Sequence, residues 1–336
     1  NNYKLFGGFV VIDHNIVLIT DEKKEYNFAD LSRKDLEGNN ASSTESIIDA
    51  LNKICKKVIH YTDLELFTTN IPQHKDDIIF PMRFGENSPN SKSLLPAICE
   101  ANNLKYVGGD SFTHSLCNDK HLSKLYAKEF GISVPKGFLV RKLNDSILKY
   151  LPTLNLPLVI KPNYGGGSTG ISNNNLVYSY NEAEDLINKL FVFHNIPIIV
   201  EEYIEGYEVE YSIFGNKNKI ILSGEAQLKI DETTFFKREI WGYETKKIDD
   251  SSVDFLTSNL IPTSVKEKMI TLFKSFDKIE FMRVDGRISN DEFYLIELSP
   301  DCFLGKDCAF YHVFAQNNLL FEEMFESLII NAANLC

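Results

Sequence analysis

The stretch Pro157-Leu158-Val159-Ile160-Lys161-Pro162-Asn163-Tyr164-Gly165-Gly166-Gly167-Ser168-Thr169-Gly170-Ile171-Ser172 constrains the fold more than any other part of the chain. An apolar run from Leu156 to Ile160 ends in a lysine, and a loop with four glycines and interspersed hydroxyl residues follows. Glycine lets a backbone approach a ligand closely and aim its N–H groups at it. Successive N–H groups in such a loop form an anion nest, and a lysine at the strand end adds a full positive charge. This is equipment for holding a polyphosphate. Lys161 precedes the glycines instead of following them, so the stretch is neither the P-loop pattern nor the dinucleotide fingerprint.

A chain of 336 residues can hold two or three packed domains. No apolar run approaches the roughly 18–20 residues that cross a bilayer, so no membrane partner is expected. The start, Asn1-Asn2-Tyr3-Lys4, carries no secretory pattern. A net charge of −12 argues against a nucleic-acid partner, which needs a basic surface. It leaves room for a polyphosphate held by locally focused lysines and Mg²⁺. Cys55, Cys99, Cys117, Cys302, Cys308 and Cys336 are scattered, with no Cys-x-x-Cys pair, which fits reduced thiols in a cytoplasmic protein. The histidines show no metal-ligand spacing.

Residues 44 to 59 carry apolar positions at helical spacing, with Thr44 as N-cap. Asp77 to Pro81 reads as a short buried strand, Ser93 to Asn103 as a helix and Lys105 to Gly109 as a strand entering a turn. This alternation predicts a parallel α/β layer. Arg33 to Ser43 reads as an exposed loop. A helix is expected from Asn118 to Phe130, stopped by Gly131. Strands follow at 137–140, 158–161, 196–202, 208–215 and 219–224, and helices at 181–193, 262–276 and 319–331. Residues 226 to 253 show no clear period and read as a mobile loop. Met282–Ile288 and Glu292–Leu298 form a hairpin across Ser289-Asn290-Asp291.

Two further segments bear chemistry. Ile199 to Glu208 runs from a strand into an acidic stretch and a glycine turn. Its extended backbone and its carboxylates can bond an adenine edge and ribose hydroxyls. In the hairpin, antiparallel pairing places Asp285 beside Glu297, with Ser299 two residues further on the same face. Adjacent carboxylates repel unless a cation lies between them, and hard oxygen ligands suit Mg²⁺ bound together with phosphates.

Together these motifs resemble the ATP-grasp carboxylate–amine ligases, and most closely the D-alanine–D-alanine ligases. The resemblance runs from about Ile78 to Ala332. It is carried by Phe80-Pro81-Met82-Arg83-Phe84-Gly85-Glu86, Tyr106-Val107-Gly108-Gly109, Asp119-Lys120, Val159-Ile160-Lys161-Pro162 with its glycine loop, Glu201 through Glu208, Arg283-Val284-Asp285 and Glu297-Leu298-Ser299-Pro300. It implies an α/β ATP-grasp fold in three units: an N-terminal α/β substrate domain at 1–117, a central lid unit at 118–215 and a C-terminal catalytic unit at 216–336. It also implies site roles. Lys120 and Lys161 hold the ATP phosphates and Ser168 caps them. Glu201 accepts from the adenine amino group while the backbone of Tyr203 and Ile204 reads the ring edge. Glu208 binds the ribose. Asp285, Glu297 and Ser299 hold two Mg²⁺ ions, with Mn²⁺ as a substitute, and Arg283 stabilises oxyanion charge. Lys237 and Lys246 are the two candidates for reaching the γ-phosphate. The resemblance further implies a homodimer.

The chain departs from the family on one side only. Ser299 stands where asparagine is usual, Gly167 where a serine is usual and Arg83 where histidine is common. No acidic glycine loop is evident near Gly7-Gly8, and Pro300 to Cys308 differs from the usual hydroxyl-rich turn. These positions face the amino-acid substrates, except that Ser299 also bears on the metal. Arg83 and Lys306 are candidates for pairing with a substrate carboxylate. The expected activity is ATP- and Mg²⁺-dependent joining of an amino-acid or peptide carboxylate to an amine. Authentic D-alanyl-D-alanine synthesis and a catalytically degenerate nucleotide-binding module are the alternatives.

Overall fold

Ile16 to Ile19 are four apolar residues in a row, and all four are fully buried. Such a run belongs to a strand covered on both faces, as in a parallel layer. The computed structural model describes residues 12–21, 41–85, 88–143, 149–166, 171, 173–240 and 253–333. Within them β1 (Ile12–Thr20) pairs in parallel with β2 (Cys55–Tyr61) and β3 (Ile78–Met82), and β3 with β4 (Lys105–Tyr106). The order is β2-β1-β3-β4. Helices α1 (Ala41–Ile54), α2 (Leu64–Asn70) and α3 (Leu94–Ala101) connect and flank these strands. The parallel α/β layer expected from the sequence is present.

Two local expectations give way here. The helix expected over 44–59 starts at Ala41 and ends at Ile54, and Cys55–Tyr61 is a strand. Val58 and Ile59 fit either period; pairing with Ile16 and Val17 of β1 decides for the strand. The central strand β1 has no counterpart among the strands expected from the sequence, because a short apolar run shows no alternation.

A second, four-stranded sheet is wholly antiparallel. β5 (Gly137–Val140), β6 (Leu158–Pro162), β7 (Leu176–Val177) and β8 (Ile198–Glu202) lie in the order β5-β8-β6-β7. The sheet's core joins Leu158, Ile160, Ile198 and Val200 to Ala183 and Ile187. Those two belong to a helix at Tyr180–His194, started by a capping box between Ser179 and Glu182.

The third sheet has six strands. β9 (Gly206–Gly215), β10 (Ile220–Ile230), β11 (Phe235–Phe236), β12 (Val253–Thr257), β13 (Phe281–Ser289) and β14 (Glu292–Ser299) run in the order β12-β10-β9-β13-β14, with β11 also on β9. The expected loop at 226–253 is therefore shorter: 226–230 completes β10, 235–236 is β11, and 241–252 lies outside the described residues. Ala226 and Leu228 are fully buried and alternate with Gln227 and Lys229, a period of two that was masked by reading the longer window as one.

Helices at Ser111–Asn118 (α4), Lys120–Glu129 (α5) and, after the Tyr180–His194 helix (α6), Thr263–Lys274 (α7) share a core with this sheet. Cys117, Ala127, Met269 and Phe273 meet Val209, Tyr211, Met282 and Val284. Helices α8 (Ala309–Gln316) and α9 (Phe321–Ala333) bury Phe310, Phe314, Phe321 and Phe325 between β9/β13 and the parallel layer. One core thus spans the first and third sheets.

Phe325 is fully buried, with its ring centroid 5.7 Å from Phe80 and 5.1 Å from Phe321. Phe325→Ala is expected to lower stability by about 3–5 kcal/mol in urea unfolding. A loss below about 1 kcal/mol would show that the seam can collapse onto the vacated space.

Candidate active site

Alternation along the six-stranded sheet sorts its side chains. Val209, Tyr211, Ile213, Met282 and Val284 face the helical core. The opposite face therefore carries Glu208, Glu210 and Ser212 from β9, and Arg283, Asp285 and Arg287 from β13. Cross-strand pairing sets them in rows. Glu208 lies beside Arg287, Glu210 beside Asp285, and Ser212 beside Arg283. On the other side, Asp285 pairs with Glu297 and Arg283 with Ser299. The juxtaposition of Asp285, Glu297 and Ser299 expected from the hairpin is formed.

The charges on this face are interlocked. Arg283 forks onto Asp285, with Nε 2.7 Å from Oδ1 and Nη2 2.8 Å from Oδ2. Its Nε is also 3.1 Å from Oε2 of Glu210. Lys120 Nζ is 3.2 Å from Oε1 of Glu297. Burial pushes the Asp285 carboxyl up; Arg283 pulls it down, Glu297 and Glu208 push it up again, and it settles above its ordinary value. Burial pushes Glu297 up as well, but Lys120, Lys92 and Lys161 outweigh it and hold this carboxyl below its ordinary value. Two neighbouring carboxylates, one of them disfavoured in its charged form, are a hard oxygen site suited to a divalent cation. Among the described residues no group of three His, Cys, Asp or Glu is placed to hold a metal ion.

The facing wall comes from the four-stranded sheet and α5. Asp119 caps α5 by accepting from the N–H groups of His121 and Leu122, which fixes Lys120 at the first helical position. Lys120 Nζ donates to the Gly165 carbonyl, and its own N–H donates to the Asn163 carbonyl at 3.1 Å. Gly165 N–H in turn donates to Asn118 Oδ1 at 3.1 Å. The start of the glycine loop is thereby stitched to the α4–α5 junction. Glu201 is only 3% exposed. Its Oε1 binds Lys124 and its Oε2 lies 3.3 Å from Lys161. Burial pushes Glu201 up, but Lys124 and Lys161 outweigh it and hold it below its ordinary value. Burial pushes the Lys124 amine down to about 8. Ser168, Gly167, Lys246 and Gly7-Gly8 lie outside the described residues, and Lys237 is exposed.

The segment joining the two sheets is already partly engaged. Tyr203 N–H donates to the Pro157 carbonyl at 3.0 Å, and the Ile204 carbonyl accepts from Arg287 at 2.8 Å. Of the backbone groups expected to read a ring edge, the Tyr203 donor and the Ile204 acceptor are thus taken; the Tyr203 carbonyl and the Ile204 N–H have no partner among the described residues. Gly206, at φ +154°, sits where an added Cβ would come within 2.0 Å of the Ile288 carbonyl, so only glycine lets this segment lie so close to β13.

The family model for the D-ala D-ala ligase C-terminus matches residues 127–330. The chain belongs to the D-Ala–D-Ala ligase family. It is 28% identical over 221 residues to D-alanine–D-alanine ligase A of Bacillus cereus, covering 65% of this chain and 66% of that protein. Against the D-alanine–D-alanine ligase of Wigglesworthia glossinidia brevipalpis it is 25% identical, covering 76% of this chain and 71% of that protein. The sequence match thus spans about two thirds of the length of these relatives. Among solved structures, a D-alanine–D-alanine ligase from Bacillus anthracis complexed with ATP superposes with a TM-score of 0.71 at 16% identity, covering 96% of this chain and 98% of that one. A D-Ala:D-Ser ligase from Enterococcus faecalis gives 0.69 at 21% identity, covering 96% of this chain and 100% of that one. The architecture is the ATP-grasp fold with an N-terminal parallel α/β layer.

The matched span holds Lys161, Glu201, Glu208, Arg283, Asp285, Glu297 and Ser299, whereas Lys120 precedes it. Sequence reasoning missed Lys124, Glu210 and Arg287. Each had a signal: Lys124 is one helical turn after Lys120, while Glu210 and Arg287 lie two residues from Glu208 and Asp285 and so share their faces. A cleft beside this face is lined in part by Arg83, Lys92, His114 and Asp301. Lys92 Nζ is 2.6 Å from Asp301 Oδ2, and Arg83 Nε is 3.5 Å from Asp21 Oδ1. Lys306, a candidate for pairing with a substrate carboxylate, is exposed and lies 5.3 Å from the Phe321 ring centroid.

Glu201→Gln leaves Lys124 and Lys161 buried without their counter-charge. It is expected to cost about 3–5 kcal/mol at pH 7, with Lys124→Met restoring part of that loss. The Glu201 carboxyl is depressed in the fold, so its contribution is present above its unfolded value of 4.5 and fades as pH falls through the folded one. The stability gap between wild type and Glu201→Gln should therefore narrow in acid, as read from urea midpoints across pH. A gap that stays constant contradicts the assignment.

Proposed function

We propose that this protein is an ATP- and Mg²⁺-dependent ligase that joins an amino-acid or short-peptide carboxylate to an amine. The observation that supports the proposal is that Lys120 reaches both Glu297, which pairs with Asp285, and the Gly165 carbonyl at the start of the glycine loop, in a chain of this family. A carboxylate is a poor electrophile, and ATP supplies the phosphoryl group that converts it into an acyl phosphate. Asp285, Glu297 and Ser299 would hold Mg²⁺, which offsets phosphate charge when bound.

The chain's own groups account for the rest. Lys120 and Lys161 are fixed cations on the wall facing the acidic sheet, placed to bind phosphate oxygens. In this reading Glu201 and the Ile204 N–H serve the adenine and Glu208 the ribose. Arg283, at the inner end of the acidic row, is placed to stabilise a developing oxyanion. Ser168 and one of Lys237 or Lys246 complete the phosphate side in this reading, and closure over the cleft excludes water from a hydrolysable intermediate. The three units at 1–117, 118–215 and 216–336, a homodimer and a cytoplasmic location belong to the same reading. The amino acids enter beside Arg83, Lys92 and Asp301, where the chain differs most from its family's usual pattern.

Lys161→Ala should lower ATP-dependent phosphate release by at least about a hundredfold, measured across a panel of D- and L-amino acids, singly and in pairs. Wild-type turnover in that variant would overturn the assignment.

A further inference from the structure

Arg287 is 5% exposed and sits outside the phosphate and metal groups, on the acidic face of β13. Among the described residues its guanidinium makes four hydrogen bonds. Nε and Nη2 donate to Glu208 at 3.1 and 2.9 Å, Nη1 donates to the Ile204 carbonyl at 2.8 Å, and Nη2 also donates to the Glu239 carbonyl at 3.0 Å. Its plane lies 4.8 Å from the Tyr203 ring centroid and 5.6 Å from that of Phe236. Both bonds to Glu208 end on Oε2. The carboxylate is therefore held through Oε2, and its side chain keeps 19% exposure.

The same guanidinium reaches the segment 235–240. Tyr203 Oη donates to the Glu239 carbonyl at 2.8 Å, beside Arg287. From there the chain reaches the four-stranded sheet, where Ile240 N–H donates to Asn173 Oδ1 at 3.0 Å and the Arg238 guanidinium lies 5.8 Å from the Tyr178 ring centroid. One buried side chain thus ties Glu208, the inter-sheet hinge and a strap between the two sheets to a single point. A buried cation is costly unless its donors are used, and here four of the fork's five donors are engaged, on Glu208, Ile204 and Glu239.

We infer that Arg287 is a positioning residue of the nucleotide site: it orients Glu208 Oε1 toward ribose hydroxyls and latches the strap 235–240 to the hinge. This rests on the ligase reading above, in so far as the bound ligand is a ribonucleotide. Glu208 is the group that touches the ribose; Arg287 acts through it.

The test is equilibrium binding of ATP, 2′-deoxyATP and 3′-deoxyATP to the full chain with Mg²⁺ and no amino acid. Wild type should prefer ATP over at least one deoxy analogue by about tenfold to a hundredfold, the range expected for hydrogen bonds to a charged acceptor. R287M should weaken ATP binding by a similar factor and leave binding of that analogue nearly unchanged, so that the preference disappears. R287K keeps the cation without the fork and should lose most of the preference, which covers the case in which R287M does not fold. A purely structural role predicts equal weakening of every nucleotide with the preference intact, and that result overturns the inference alone. Wild-type protein that binds none of the three overturns the ligase reading and this inference with it.

Discussion

The structure depends on opposite charges removed from water at the seam between two β-sheets. Lys124 and Lys161 close on Glu201 from one wall, Lys120 crosses to Glu297 on the other, and Arg283 and Arg287 take up Asp285 and Glu208. Buried ion pairs of this kind add little net stability against an apolar core of equal volume, because desolvation consumes most of the attraction. Their concentration along one seam is better explained by the polyphosphate ligand proposed above. A polyphosphate with its metal is itself an array of opposite charges. Each lysine can exchange a carboxylate for a phosphate oxygen, and each carboxylate can exchange a lysine or arginine for the metal.

The fold supplies the rigidity that such an exchange requires. The acidic row stands on three adjacent strands whose other face is packed against α5 and α7, so the carboxylates move little relative to one another. The lysines come from elements anchored differently: Lys161 from a strand, Lys120 from a capped helix start stitched to the glycine loop. The shared core of α8 and α9 with the parallel layer holds the first and third sheets together, leaving the four-stranded sheet and its own small core as a separate wall.

Much of this was legible in the sequence where local pattern decides it. Asp285, Glu297 and Ser299 follow from hairpin alternation, and the Lys161 strand end from an apolar run stopped by a glycine loop. The helix that carries Lys120 follows from its terminating glycine, Gly131. What was not legible depends on contacts distant in sequence. Nothing near Lys124 announces Glu201, 77 residues away, and nothing near Arg287 announces Glu208, 79 residues away. β1 was hidden because a buried parallel strand lacks the alternation that betrays an amphipathic one, and β2 because Val58 and Ile59 fit a helical period as well as a strand until they pair with Ile16 and Val17.

The most direct measurement of the central claim is a crystal structure with Mg²⁺ and a non-hydrolysable ATP analogue. The account predicts phosphates between Lys120 and Lys161 and a metal on Asp285 and Glu297, with the Arg283–Asp285 and Lys120–Glu297 contacts loosened. A nucleotide bound elsewhere, or those two ion pairs intact with no metal between the carboxylates, would contradict it.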